Sequence, residues 1–247
     1  MRSALSIDPI ELPVLDDGDH DMWSVLLDLA DEDIDEWTLV GGQMVVLHGL
    51  IAGTPAPRAT IDLDAMVNAR VVGSTRRFAQ RLLDMRFHPD GCSPEGLAHR
   101  FRRGAVSIDV LAPEGLGPRT DVTTVHPGRT LQVPGGTQAL KRTELVPARV
   151  SSRAGYVPLP NLLGAIVAKA CAVSVDDVPD AQRRDLAFLL TLVRDPFVLL
   201  DEQTPKDRKR ITARAELRDP THPAWHNLPG AADGLAALEL LCSASRR

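Results

Sequence analysis

Leu39-Val40-Gly41-Gly42, followed twenty positions later by Asp62-Leu63-Asp64, is the stretch that decides the fold. Trp37 to Val40 is rich in strand formers and stops at the glycine pair. Gln43 to Ile51 predicts a mostly buried helix, ended by Gly53 and Pro55. Thr60 to Val67 alternates in character and predicts a second strand. The order is strand, glycine turn, helix, acidic strand. Glycine lets backbone come close to a phosphate, and aspartates two apart on a strand share one face and can bind cations. Such an order can hold a nucleoside triphosphate and its metal ions.

Outward from this stretch, residues 1–19 are acidic, contain Pro9 and Pro13, and predict an irregular lead-in. His20 to Ala30 spaces Trp23, Leu26, Leu27 and Ala30 as a helix does. Thr75 to Met85 predicts a charged helix, and Ala105 to Leu111 an alternating strand. Thr130 to Val133 and Glu144 to Val150 predict further strands, with Pro134-Gly135-Gly136 as a break between them. A short extended piece, Gly155 to Pro160, leads into a helix from Asn161 to Ala172. A second helix follows from Ala181 to Val193, and a last one from Ala231 to Ser243. Strands dominate the first 150 residues and helices the rest. The expected class is α+β, a mixed sheet with flanking helices (residues 1–155) followed by a helical C-terminal domain (residues 156–247).

The chain of 247 residues, 44% hydrophobic and 25% charged, has the composition of an ordinary globular protein. No apolar run approaches a membrane span, and the first residues lack the apolar core of a signal peptide, so a cytoplasmic protein is expected. Cys92, Cys171 and Cys242 are far apart and form no CxxC pair, which argues against a structural zinc site or disulfide framework. A net charge of -5 excludes a general nucleic-acid coat protein, but not an enzyme that grips one RNA end locally.

Asp109 lies in Ser107-Ile108-Asp109-Val110-Leu111, where a carboxylate is badly placed unless it faces a cleft or a sheet edge. If that strand neighbours the first acidic one, Asp62, Asp64 and Asp109 converge and can hold two metal ions. Gly41-Gly42 opens a helix whose first amides favour an anion. It is neither a dinucleotide fingerprint nor a P-loop, because neither pattern of further glycines is present. Lys169 stands alone in an apolar helix. His48, in a Val-Val-Leu-His-Gly run, reads as a packed helix histidine. The basic run Lys206 to Arg214 reads as a solvated helix face.

Val40-Gly41-Gly42-Gln43, Leu47-His48-Gly49 and Arg58-Ala59-Thr60-Ile61-Asp62-Leu63-Asp64 together resemble the DNA polymerase β-like nucleotidyltransferases, most closely the AbiEii and MenT-type toxins of toxin–antitoxin pairs. Leu159-Pro160-Asn161-Leu162-Leu163 with Lys169, and Arg183-Arg184-Asp185-Leu186, are similar to that family's later motifs. The resemblance covers about residues 37 to 192. It implies that Gly41 and Gly42 contact the triphosphate, that Asp62 and Asp64 bind Mg2+ or Mn2+, and that Lys169 contacts phosphate. It also implies that Asp185 orients the lysine or the nucleotide. Arg58 is either a phosphate contact or a structural partner of the aspartates. Gly42 stands where classical members have serine, and Phe188 where many have a second aspartate.

The implied activity is transfer of a nucleoside monophosphate from a triphosphate to the 3′ end of tRNA, by a toxin with a cognate antitoxin. Transfer to a small molecule or protein side chain, and nucleotide or partner binding without turnover, are the alternatives.

Overall fold

The computed structural model describes residues 2–14, 16–31, 35–58 and 60–243. Ala59, inside the Arg-x-Thr-x-Asp-x-Asp motif, lies outside them. The class is α+β, with mixed sheets and helices.

Helix α1 (Asp17–Ala30) starts where the Asp16 side chain accepts the Asp19 amide, and buries Trp23, Leu26 and Leu27. Strand β2 (Trp37–Val40) runs straight into α2 (Gly41–Ala52), which ends at left-handed Gly53. Next come β3 (Asp62–Val67), α3 (Ser74–Asp84), β4 (His88–Pro89), β5 (Arg100–Arg103), β6 (Val106–Pro113) and β7 (Leu131–Val133). Together these strands form a six-stranded sheet ordered β2-β3-β6-β5-β4, with β7 pairing the end of β6. Strands β3 and β6 are parallel and β2 is antiparallel to β3.

One face of this sheet is apolar. Trp37, Leu39, Leu63, Ala65, Ile108, Val110 and Phe101 are all buried on it. The Trp37 and Phe78 rings meet edge to face at 5.6 Å. Period-two patterning therefore sends Asp62, Asp64 and Asp109 to the other face, and a one-residue slip would put all three against the core.

A second sheet is made by the hairpin β8 (Thr143–Val150) and β9 (Arg153–Pro160), with β1 (Ile10–Glu11) parallel to β8. Helices follow: α5 (Leu162–Ala172), α6 (Pro179–Thr191), α7 (Pro196–Glu202), α8 (Pro205–Thr212) and α9 (Ala231–Cys242). Among the described residues, no helix is long and apolar enough to cross a membrane.

Several expectations need adjustment. The lead-in is not wholly irregular, since β1 pairs with β8. Pro134-Gly135-Gly136 does not only break the chain: Gly135, at φ 91, starts α4 (Gly136–Lys141). The basic run read as a helix face is helical over Pro205–Thr212, where Thr204 and Asp207 form a capping box. The division expected at 155/156 falls within β9, whose Val157 and Leu159 belong to the same buried cluster as Leu39, Leu63 and Phe188.

Candidate active site

The carboxylates line up by strand register. Asp64 pairs with Asp109 and Asp62 with Ser107. Across β6, Asp109 pairs with Arg100 and Ser107 with Arg102. Paired residues and residues two apart face one side. The face thus carries a row Asp64–Asp109–Arg100 beside a row Asp62–Ser107–Arg102. The expected neighbourhood of the two acidic strands is present.

The three carboxylates are not equivalent. Asp109 is buried, and both its oxygens are taken by Arg100, Nε to Oδ1 and Nη2 to Oδ2, each at 2.8 Å. Asp62 and Asp64 are half-buried and have no hydrogen-bond or ion-pair partner among the described residues. Burial, then the charge of Asp109, pushes the Asp64 carboxyl up to about 7; Asp62 adds to this, while Lys169 and Arg100 oppose it.

The glycine pair is explained by contact. Gly41 has φ +72, and a Cβ there would sit 2.6 Å from Asp64 Cγ. A Cβ on Gly42 would sit 2.7 Å from Thr60 Oγ1. Gln43 Nε2 donates to Thr60 O at 2.7 Å and ties the segment before β3 to α2. The start of α2 has no side-chain cap, so its first amides stay available to water or an anion.

The C-terminal helices supply a second cluster. Asp185 of α6 receives both arms of Arg58, Nε to Oδ1 at 2.9 Å and Nη2 to Oδ2 at 2.7 Å. Lys169 Nζ of α5 lies 2.8 Å from Asp185 Oδ2 and donates to Gln182 Oε1 at 2.8 Å. Gln182 Nε2 in turn donates to Asp176 Oδ2. Lys169 and Asp185 are about 2% and 1% exposed, whereas a third of the Arg58 side chain meets solvent. Arg58 is therefore a partner of an aspartate, but of Asp185. Its guanidinium is held above its usual range, chiefly by that double hydrogen bond. Lys169 is near enough to Asp64 for its charge to lower that carboxyl's pKa, which links the two clusters.

The donor set suits a hard divalent cation. Asp62 and Asp64 feel each other's charge and have no ion-pair partner in contact among the described residues. No group of three His, Cys, Asp or Glu side chains forms a metal cage among the described residues. Mg2+ needs none, since it keeps waters and uses one or two carboxylates with substrate phosphates.

Arg100, Ser107 and Gln182 were missed from sequence. The signals were there: Arg100 and Arg102 alternate around buried Phe101, and Gln182 lies one turn before Asp185. His48 is buried, with Nε2 3.0 Å from Pro160 O, and burial lowers its pKa to about 4, as fits a packed imidazole. It borders a cavity of about 360 Å³ that includes Ile51, Glu144, Leu159 and Arg194 but not Asp62, Asp64 or Asp109. The basic run is only partly solvated, for Arg210 pairs with Glu114. Compared with models of known families, with curated proteins and with solved structures, the chain matches none.

Proposed function

We infer that this protein is a metal-dependent nucleotidyltransferase with a polymerase β-like catalytic fold. One observation carries the reading: Asp64, without a partner among the described residues, stands against the close-packed Gly41 turn within the electrostatic reach of a buried Lys169 that is held by Asp185, and Asp62, likewise without a partner there, lies two residues before it on the same strand face. Asp62 and Asp64 would hold Mg2+ or Mn2+, which neutralises triphosphate charge and favours loss of the acceptor hydroxyl's proton.

The remaining work is positioning and electrostatics. The amides at the start of α2, which no side chain caps, give phosphate oxygens hydrogen-bond donors. Arg58 is the accessible cation of its cluster and meets the triphosphate first. Lys169 adds its charge from a dry position, where it counts for more than in water. Asp185 fixes both cations and so sets where negative charge is stabilised. The acceptor hydroxyl attacks the α-phosphorus in line and pyrophosphate leaves.

The motif resemblance supports the 3′ end of tRNA as acceptor, the role of a toxin restrained by an antitoxin, and a cytoplasmic setting. Incubation with each labelled nucleoside triphosphate, Mg2+ and total RNA tests this. Label should appear in tRNA and vanish with Asp62→Ala/Asp64→Ala. Label in no macromolecule, together with a double variant as toxic as the parent, sinks the reading. The closed Lys169–Asp185–Gln182 cluster favours one second reading, triphosphate binding without turnover. Calorimetry showing binding in the absence of transfer would establish that instead.

A further inference from the structure

Of the three carboxylates, Asp109 alone has an ion-pair partner in contact among the described residues. Arg100 closes both its oxygens, yet 38% of the Arg100 side chain meets solvent, so the guanidinium has somewhere to go. A second observation points the same way. Ser107 is about 4% exposed, and its Oγ is buried with no hydrogen-bond partner among the described residues. It stands between Asp62 and Arg102 and two residues before Asp109 on the same face. Arg102 does not serve it, being turned to Asp90 at 2.7 Å. A buried hydroxyl left unpaired is unfavourable, and one beside unpaired carboxylates awaits a bound group.

Building on the metal-dependent reading above, we propose that Arg100 is an exchangeable counter-ion. It occupies Asp109 in the ligand-free protein. It yields Asp109 to a divalent cation shared with Asp64, and the freed guanidinium turns to the triphosphate. Ser107 Oγ then hydrogen-bonds the water shell of the cation on the Asp62 side. The exchange replaces one positive charge with two beside three carboxylates, so the row becomes less anionic. Because the displaced guanidinium needs a new anion, metal and triphosphate binding reinforce each other, and the coupling is reciprocal.

The test is an electron paramagnetic resonance titration with Mn2+ alone, on the full chain. Arg100→Gln should bind Mn2+ about tenfold more tightly than the parent, since one competing unit charge at contact distance is removed from a part-exposed site. Adding Asp109→Asn to it should abolish the gain. Arg100→Lys should fall between, because it loses the two-armed contact but keeps the charge. Ser107→Ala should weaken Mn2+ binding in the Arg100→Gln background. Circular dichroism checks each fold, and if Arg100→Gln does not fold, Arg100→Lys decides. Equal affinity in parent and Arg100 variants, or a gain that survives Asp109→Asn, overturns the proposal. Nucleotidyl transfer is scored separately. Its absence would remove the enzymatic reading and leave the Mn2+ result standing, whereas an unchanged Mn2+ affinity would remove only the exchange.

Discussion

Gly41 and Asp64 constrain each other. The glycine has a left-handed backbone and gives up its side-chain space to the carboxylate. Gly41→Ala meets both constraints: about 1–2 kcal/mol for the backbone, and displacement of Asp64. We expect a thermal midpoint lowered by several degrees and Mn2+ binding weakened at least tenfold, read by calorimetry. Asp64 also gives a pH signature. Its carboxyl titrates near 7 when folded and at its ordinary value, near 4, when unfolded. Between those values the folded chain holds a proton that the unfolded one has lost. This group's contribution to stability is thus full below about pH 4 and disappears as pH rises through about 7. Metal-free protein should therefore lose stability across that window, and Asp64→Asn should flatten the loss in thermal scans. The same proton competes with a cation, so Mn2+ affinity should fall by up to about tenfold per unit below pH 7. At this scale the sequence singled out residues that the fold brings together, Asp64 beside Asp109 and Lys169 beside Asp185. It was silent about whom they touch: Arg58 could be seen as a useful cation, but its bond to Asp185 depends on how distant segments pack.

Helix α6 is the element that ties the Lys169 cluster to the buried core. Gln182 and Asp185 lie one turn apart and both meet Lys169, while Leu186, Leu189 and Leu190 bury the helix. Phe188, where relatives of the resembled family have an acid, is 1% exposed and lies against Gly49 of α2. It joins α6 to the glycine-turn helix by packing rather than by charge. Asp185→Ala leaves Lys169 charged, buried and without its ion-pair partner. That should cost about 3 kcal/mol in urea unfolding, and Asp185→Asn should recover part of it by keeping one hydrogen bond. Phe188→Ala should cost about 3–5 kcal/mol through the cavity it leaves. Elements with strong periodicity, such as β2, β3, β6 and α5, could be read from the residues alone. Strand β5 could not, because Arg100-Phe101-Arg102-Arg103 carries one apolar residue and its strand state comes from pairing with β6. Helix α4 hid behind Gly135, which signals a break and also starts a helix.

The whole molecule has one continuous buried cluster running from Trp23 through Leu63 and Val157 to Leu241. The change from strands to helices along the chain falls at the end of β9. Strand β9 pairs with β8 along its full length and also meets β2 through Thr38 Oγ1, which donates to Pro158 O. A chain ended at residue 155 would therefore lack most of β9 and the whole α5–α6 cover. It should show no cooperative urea transition, whereas the full chain should show a single one followed identically by fluorescence and circular dichroism. Composition shifts report which elements are present, but division depends on long-range contacts that no local pattern encodes.

The bond between Arg58 and Asp185 joins residues 127 positions apart. A ribosome adds roughly 5–20 residues per second, so Asp185 is made on the order of ten seconds after the Asp62–Asp64 strand. During that interval the nascent chain owns its carboxylates but not the anchored cations opposite them. Any message cut short before α6 yields a polypeptide that cannot assemble the charge pattern.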